Sequence, residues 1–249
     1  MAEISLRNIT KLFGKTRALN DVSLDIPSGG VFVIMGLSGS GKSTLIRHIN
    51  RLIEPTSGTV IFDGQDITAL DAQALRAFRR RSVSMVFQGF GLMPHLNVLD
   101  NVAFGLVARG EALDQAQATA REWVHAVGLD GREQAYPDQL SGGMKQRVGL
   151  ARALATGTDT LLMDEAFSAL DPLIRADMQD LLLELRRKTN NTVVFVTHDL
   201  AEAAHIGDRI AILRDGQVVQ TGTPADIFDH PADDYVARFV SVAGLRKTV

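Results

Sequence analysis

The sequence contains no cysteine. That excludes a disulfide frame and any thiolate metal site, and it suits a reducing compartment. No apolar run approaches the roughly 18 residues needed to cross a bilayer. The start, Met1-Ala2-Glu3-Ile4-Ser5, lacks the basic and apolar regions of a secretory signal. The chain is therefore expected neither to span a membrane nor to be exported by that route, although it can dock on a membrane protein. Excess charge of either sign is missing too. A net charge of −3, from 26 Lys and Arg against 29 Asp and Glu, leaves no electrostatic footprint for nucleic acid. Internal repeats and low-complexity segments are also lacking. What remains is an ordinary globular composition, 249 residues with 45% hydrophobic and 22% charged, long enough for a sizeable core.

Within that composition, Gly36-Leu37-Ser38-Gly39-Ser40-Gly41-Lys42-Ser43-Thr44 matches the Gly-x4-Gly-Lys-[Ser/Thr] pattern of a phosphate-binding loop. Val31 to Met35 is a short apolar run behind Gly29-Gly30 and predicts a buried strand. Thr44 to Arg51 carries Leu45, Ile46 and Ile49 at helical spacing. The loop thus lies between a strand and a helix N-terminus, where unpaired N–H groups and the helix dipole favour an anion. Its glycines let the backbone close on phosphates without a Cβ in the way. Lys42 offers a cation to the β- and γ-phosphates, and the Ser43 hydroxyl a ligand for Mg2+.

Period-two alternation predicts strands over Ile4 to Thr10 and Ala18 to Ile26. Phe13-Gly14 lies between them. Its ring can stack on a base, and spacing alone favours core packing or a turn. Thr59 to Phe62 before Asp63-Gly64 predicts a hairpin strand. Leu75 to Arg81 is helical and ends in Arg79-Arg80-Arg81, either a solvated face or a phosphate or nucleic-acid contact. Ser82 to Phe87 is a strand that ends at Gln88, where a polar side chain can reach a ligand crevice. From Gly89 to about Gln139 there is no clear strand; helices are expected over Val98 to Val107 and Gln115 to Val127. The apolar stretch Phe90 to Leu96 is either the small core of this helical insertion or a partner surface. Ser141-Gly142-Gly143 opens a helix to about Leu154. Leu161-Leu162-Met163 runs into Asp164-Glu165, a hydrophobic strand ending in acids. There Asp164 can hold Mg2+, and Glu165 can orient or deprotonate water. Arg175 to Lys188 is a helix. Thr192 to Val196 is a buried strand followed by Thr197-His198-Asp199; a lone His there is structural or functional. A hairpin turns at Asp215-Gly216, short helices cover Pro224 to Phe228 and Tyr235 to Val240, and Arg246 to Val249 is a frayed tail.

Phe13-Gly14, the Gly36 to Thr44 loop, Gln88, Leu140-Ser141-Gly142-Gly143-Met144, Leu161 to Glu165 with Ser168-Ala169-Leu170-Asp171, and His198 together resemble the ATP-binding cassette ATPases over essentially the whole chain. The resemblance implies an α/β P-loop NTPase core with an antiparallel β subdomain and an inserted helical subdomain. It places the nucleotide-binding core at 1–88 and 145–222, the helical subdomain at 89–144 and a helical tail at 223–249. It implies that Phe13 stacks on adenine, that Gln88 senses Mg2+ and the γ-phosphate, and that Ser43, Gln88 and Asp164 surround Mg2+. Glu165, His198 and Lys42 then carry hydrolysis, with His198 on the γ-phosphate. Ser141-Gly142-Gly143 would clamp ATP held by a second copy, with Asp171 between the two sites.

The motif Leu-Ser-Gly-Gly-Met, with Met144 where the family more often has Gln, is similar to the importer branch for glycine betaine, proline and choline. So are Asn50 to Pro55, Leu92-Met93-Pro94-His95 and Glu165 to Arg175. The branch implies a homodimeric ATPase on the cytoplasmic face of the membrane, working with a separate permease and an external binding protein, with no nucleic-acid partner. An importer ATPase for another solute, or an ABC ATPase outside transport, are the alternatives. Many members of the branch carry C-terminal CBS modules; the sequence ends at Val249, so that regulation is not expected. Trp123, Tyr136 and Tyr235 show no clustered spacing, so no aromatic cage for the amine is expected in this chain.

Overall fold

The computed structural model describes residues 2–242; the expected frayed end from Arg246 lies outside them. In chain order the elements are β1 Ile4–Phe13, β2 Thr16–Ile26, β3 Gly30–Met35, α1 Lys42–Ile49, β4 Ser57–Phe62, β5 Gln65–Asp66, α2 Ala72–Arg81, β6 Val83–Phe87, α3 Val98–Ala108, α4 Leu113–Ala126, α5 Gly142–Ala155, β7 Thr160–Asp164, α6 Pro172–Thr189, β8 Thr192–Thr197, α7 Leu200–Ile206, β9 Arg209–Arg214, β10 Gln217–Gly222, α8 Pro224–Asp229 and α9 Asp234–Val242.

Two helices start three residues earlier than the sequence expectation and one helix is unforeseen, and each of these has a capping cause. α2 begins before Leu75 because Asp71 Oδ1 accepts from the amides of Gln73 and Ala74 at 2.9 and 2.8 Å. α6 begins before Arg175 because Asp171 accepts from the Ile174 amide at 3.1 Å and Pro172 occupies the first turn, where its missing N–H costs nothing. α7 is not foreseen by the strand-to-loop reading of Thr197-His198-Asp199. Asp199 caps it by accepting from Ala201 and Glu202, and Leu200, Ala203 and Ile206 are buried along it.

The described parts of Met1–Leu75 and Thr192–Val249 form one compact unit, and Arg76–Asn191 forms a second. In the first, an antiparallel sheet runs β2-β1-β4-β5. Ile4 pairs with Ile26 and with Phe62, and Leu6 with Leu24 and Val60. All are buried, so the alternation presents one face to the core. The same unit places β3 between β9 and β8, parallel to both, with β10 antiparallel outside β9. Val31 to Met35 are all buried, the continuous apolar pattern of a strand covered on both faces. Each side chain so buried contributes roughly 1.5–3 kcal/mol.

In the second unit β6 and β7 pair in parallel, from Val83↔Thr160 to Phe87↔Asp164. α3 packs against α4 and α5 through buried Val98, Leu99, Val102, Ala116, Ala120, Val124, Val148 and Leu150. The stretch Phe90 to Leu96 is not the core of this bundle, because none of its residues is fully buried. It is held instead by polar contacts. Asn101, fully buried, accepts from the Met93 amide at 2.8 Å and donates to the carbonyls of Met93 and Leu96. Among the described residues, no helix is long and apolar enough to cross a membrane.

Candidate functional site

In the first unit the loop from Gly36 to Gly41 leaves β3 and enters α1. Gly39 and Gly41 have φ of 81° and 100°, left-handed values that favour glycine. A Cβ on Gly36 would fall on the Leu213 carbonyl oxygen, and one on Gly41 would come within 2.6 Å of the Ala18 carbonyl oxygen and 2.8 Å of Leu19. The loop thus closes against β9 and β2 in a way no larger residue permits. The Leu37 carbonyl accepts from the Ser40 amide at 3.2 Å and from Lys42 Nζ at 3.0 Å. Lys42 is buried to 4% exposure, so its charge is held at the loop and not spread into solvent. Ser43 and Thr44 lie in the first turn of α1. Leu37, Ser38 and Gly39 are exposed, and the buried Ser40 hydroxyl finds no hydrogen-bond partner among the described residues.

The register Met35↔Thr197 carries β3 and β8 to a common edge. Gly36 and the exposed His198 therefore follow neighbouring strands at the same end. Phe13 stands at the end of β1, 49% exposed, so it is not a core residue. Lys11 Nζ lies 5.0 Å from its ring centroid. The β1–β2 hairpin that carries Phe13 also contributes the Ala18 carbonyl beside Gly41, which links the aromatic to the loop.

In the second unit Gln88 is exposed just beyond β6, and Asp164 ends β7 with 4% exposure. The register Phe87↔Asp164 brings Gln88 and Glu165 to the same strand edge. Glu165 has φ 46°, a left-handed backbone that costs a non-glycine residue about 1–3 kcal/mol and persists only where the surroundings fix it. The fixing contacts are local. The Glu165 carbonyl accepts from the Ser168 amide at 3.1 Å and from Ser168 Oγ at 2.8 Å, while Gln88 Nε2 donates to the same Oγ at 3.3 Å. Ser141 is the exposed N-cap of α5, its Oγ accepting from the Met144 amide at 3.3 Å. A Cβ on Gly143 would meet Ile174 at 2.7 Å, so Ser141-Gly142-Gly143 lies against the start of α6, whose cap is Asp171. The loop amides and the α1 N-terminus suit a polyphosphate. In the first unit Ser43 carries a hydroxyl oxygen, and in the second Gln88 and Asp164 carry amide and carboxylate oxygens; each is a hard donor type that Mg2+ prefers. A Mg2+ that arrives on phosphates needs only one or two carboxylates from the protein, and the buried Asp164 fits that requirement.

Sequence reasoning missed the residues that hold this second set in place. Ser168 joins Gln88 to Glu165. Arg175 donates to the Leu170 carbonyl at 3.1 Å. Arg152 donates to the carbonyls of Gly91 and Phe90 at 2.7 and 3.3 Å, anchoring the turn after Gln88; burial holds its affinity for its proton below the ordinary arginine value. Spacing carries no signal for the contacts of Gln88 with Ser168 and of Arg152 with Gly91, which join segments 80 and 61 residues apart.

Comparison with known proteins comes to bear on this geometry. The model of the ABC transporter family matches residues 19–168. The chain is 56% identical over 236 residues to the glycine betaine/proline betaine transport system ATP-binding protein ProV of Salmonella typhimurium, covering 95% of this chain and 59% of that protein. It is 53% identical over 243 residues to the glycine betaine transport ATP-binding protein OpuAA of Bacillus subtilis, covering 98% of this chain and 58% of that one. It therefore spans under two thirds of the length of these curated relatives. Among solved structures, the dimeric post-hydrolysis state of an ATP-binding cassette bound to ADP and Pi is 37% identical and superposes with a TM-score of 0.81, over 89% of this chain and 98% of that one.

Proposed function

The chain belongs to the ABC transporter family, and on that premise we propose that it is the ATP-hydrolysing subunit of an importer for a quaternary amine of the glycine betaine class. The observation that carries the nucleotide part is the glycine cradle, where Gly36 and Gly41 leave no room for a side chain and Lys42 is held buried beside them. The substrate class rests on relatives whose names specify betaine transport and which match almost all of this chain.

In this reading the reaction is ATP and water to ADP and phosphate. The loop amides and Lys42 hold the β- and γ-phosphates. Ser43, Asp164 and Gln88 would hold Mg2+, which would supply neutralisation of the phosphate charge. Glu165 orients the attacking water and accepts its proton, aimed by the backbone that Ser168 restrains. His198 donates to the γ-phosphate, and Phe13 stacks on the base. Positioning and charge stabilisation supply most of the rate. Ser141-Gly142-Gly143 completes the site of a second copy, with Asp171 beside it. The ATP-driven closing of that homodimer moves a separate membrane permease, which receives the amine from a binding protein. The subunit is accordingly peripheral to the cytoplasmic face of the membrane.

The test is reconstitution of the subunit with candidate permease and binding protein in vesicles. Uptake of labelled glycine betaine is expected to require ATP and to vanish with Lys42→Ala. Uptake of another solute in place of the betaine, under the same ATP requirement, would overturn the substrate class. Full uptake with Lys42→Ala would overturn the ATPase role.

A further inference from the structure

The basic run at the end of α2 is not absorbed by the nucleotide chemistry. The structure divides it. Arg80 and Arg81, with Ala77 one turn earlier, line a cavity of about 140 Å3 whose opposite side is Arg109 at the end of α3. Among the described residues, no carboxylate lines this cavity. Its volume is that of about four or five liquid waters at roughly 30 Å3 each, enough for one tetrahedral oxyanion.

Arg109 is fixed from behind. Its Nη1 donates to the Thr156 carbonyl, and Thr156 is itself pinned through Oγ1, which donates to the Ala153 carbonyl and bonds Ser84 Oγ, both at 2.7 Å. Arg109 Nη2 is buried and has no hydrogen-bond partner among the described residues. A guanidinium stays charged in proteins, and a buried donor without an acceptor is destabilising. Burial, reinforced by the nearby charge of Arg81, holds the Arg109 proton affinity below its ordinary value; Glu111 opposes them more weakly than burial. The arginines also repel one another. One kind of occupant relieves both penalties, a compact anion with several acceptor oxygens, which guanidinium forks bind in parallel pairs.

We propose that Arg80, Arg81 and Arg109 form a second anion site that takes a phosphoryl group, as soluble phosphate or as a phosphomonoester lipid head group. None of the three is a residue assigned to nucleotide handling. The small side chain of Ala77 keeps the cavity open, since a longer residue one helical turn before Arg80 and Arg81 would reach into it.

Calorimetric titration of inorganic phosphate into the full chain, preloaded with a non-hydrolysable ATP analogue to fill the P-loop, tests the proposal. One phosphate is expected to bind the wild type. R80Q/R81Q, which alters only exposed side chains, is expected to weaken it at least about tenfold. Ala77→Glu places a carboxylate among the arginines and is expected to abolish binding while raising thermal stability. Flotation with phosphatidylcholine vesicles distinguishes the source. Recruitment by phosphatidic acid, lost in both variants and not reproduced by phosphatidylglycerol, assigns the lipid head group; phosphate binding without such recruitment assigns the soluble ion. Equal phosphate binding by the wild type and both variants overturns the site. So does the absence of binding in both assays. Competition by acetate as strong as by sulfate overturns the phosphoryl class and points to a partner's carboxylate.

Discussion

Gln88 donates from Nε2 to Ser168 Oγ across 3.3 Å, and that same hydroxyl donates to the Glu165 carbonyl oxygen at 2.8 Å. A single side chain thus joins the end of β6 to the strained residue after β7. Ser168→Ala removes both bonds and leaves the Gln88 and Glu165 side chains intact. A neutral hydrogen bond is worth about 0.5–1.5 kcal/mol. Turnover is expected to fall roughly three- to tenfold, with ATP affinity near wild type, measured by steady-state ATPase assays and nucleotide titration. A proportional loss of affinity with unchanged turnover would show that Ser168 acts on binding instead.

Phe13→Ala separates base stacking from folding. The ring is 49% exposed, so the substitution is expected to change stability by no more than about 0.5–1 kcal/mol, the latter including its contact with Lys11. Stacking on an aromatic is worth about 1–3 kcal/mol per base and is tolerant of base identity. ATP and GTP affinities should therefore fall together, roughly 5- to 150-fold. Loss of ATP alone would point to hydrogen bonds on the base edge.

Glu165→Gln keeps the shape of the side chain and removes the proposed base. Hydrolysis is expected to drop about 100-fold or more, with ATP still bound and the homodimer trapped closed on size-exclusion chromatography. Adding Ser141→Arg places a bulky side chain at the exposed cap of α5. The dimer should then dissociate although each P-loop is unchanged. A double variant that still dimerises with ATP would reduce Ser141 to a helix cap.

His48 makes stability depend on pH. It is fully buried in α1, its Nδ1 lies 2.6 Å from the Thr44 carbonyl, and burial is the leading cause that holds its pKa below the ordinary 6.5. The folded state therefore resists a proton that the unfolded chain accepts. The contribution is neutral well above pH 6.5 and turns destabilising as pH falls through 6.5, at a slope of up to about 1.4 kcal/mol per pH unit. Urea midpoints recorded from pH 8 to 5 should show this decline, and His48→Leu should remove that part of the slope. An identical pH profile in the variant would assign the decline to other groups.

The sequence by itself determined the elements and their chemistry, because both are local. Alternating residues around Ile4 and Leu6, the continuous apolar run from Val31 to Met35 and the spacing of glycines before Lys42 each encode a backbone conformation within a few residues. That is why the strand, loop and helix order of the P-loop was legible, and with it the family. Caps lie at the margin of that legibility. Asp71 and Asp171 are common cap residues, yet only the bonds they accept place the helix starts, and α7 escaped because a short helix has too few turns to show a period. Tertiary structure alone decided which distant residues meet. The Met35↔Thr197 register sets His198 beside the loop, and the Phe87↔Asp164 register sets Gln88 beside Glu165. Ser168 gained its role, and Arg80 and Arg81 their cavity with Arg109, in the same way. Register and side-chain approach depend on packing between segments far apart in sequence, and no local pattern records them.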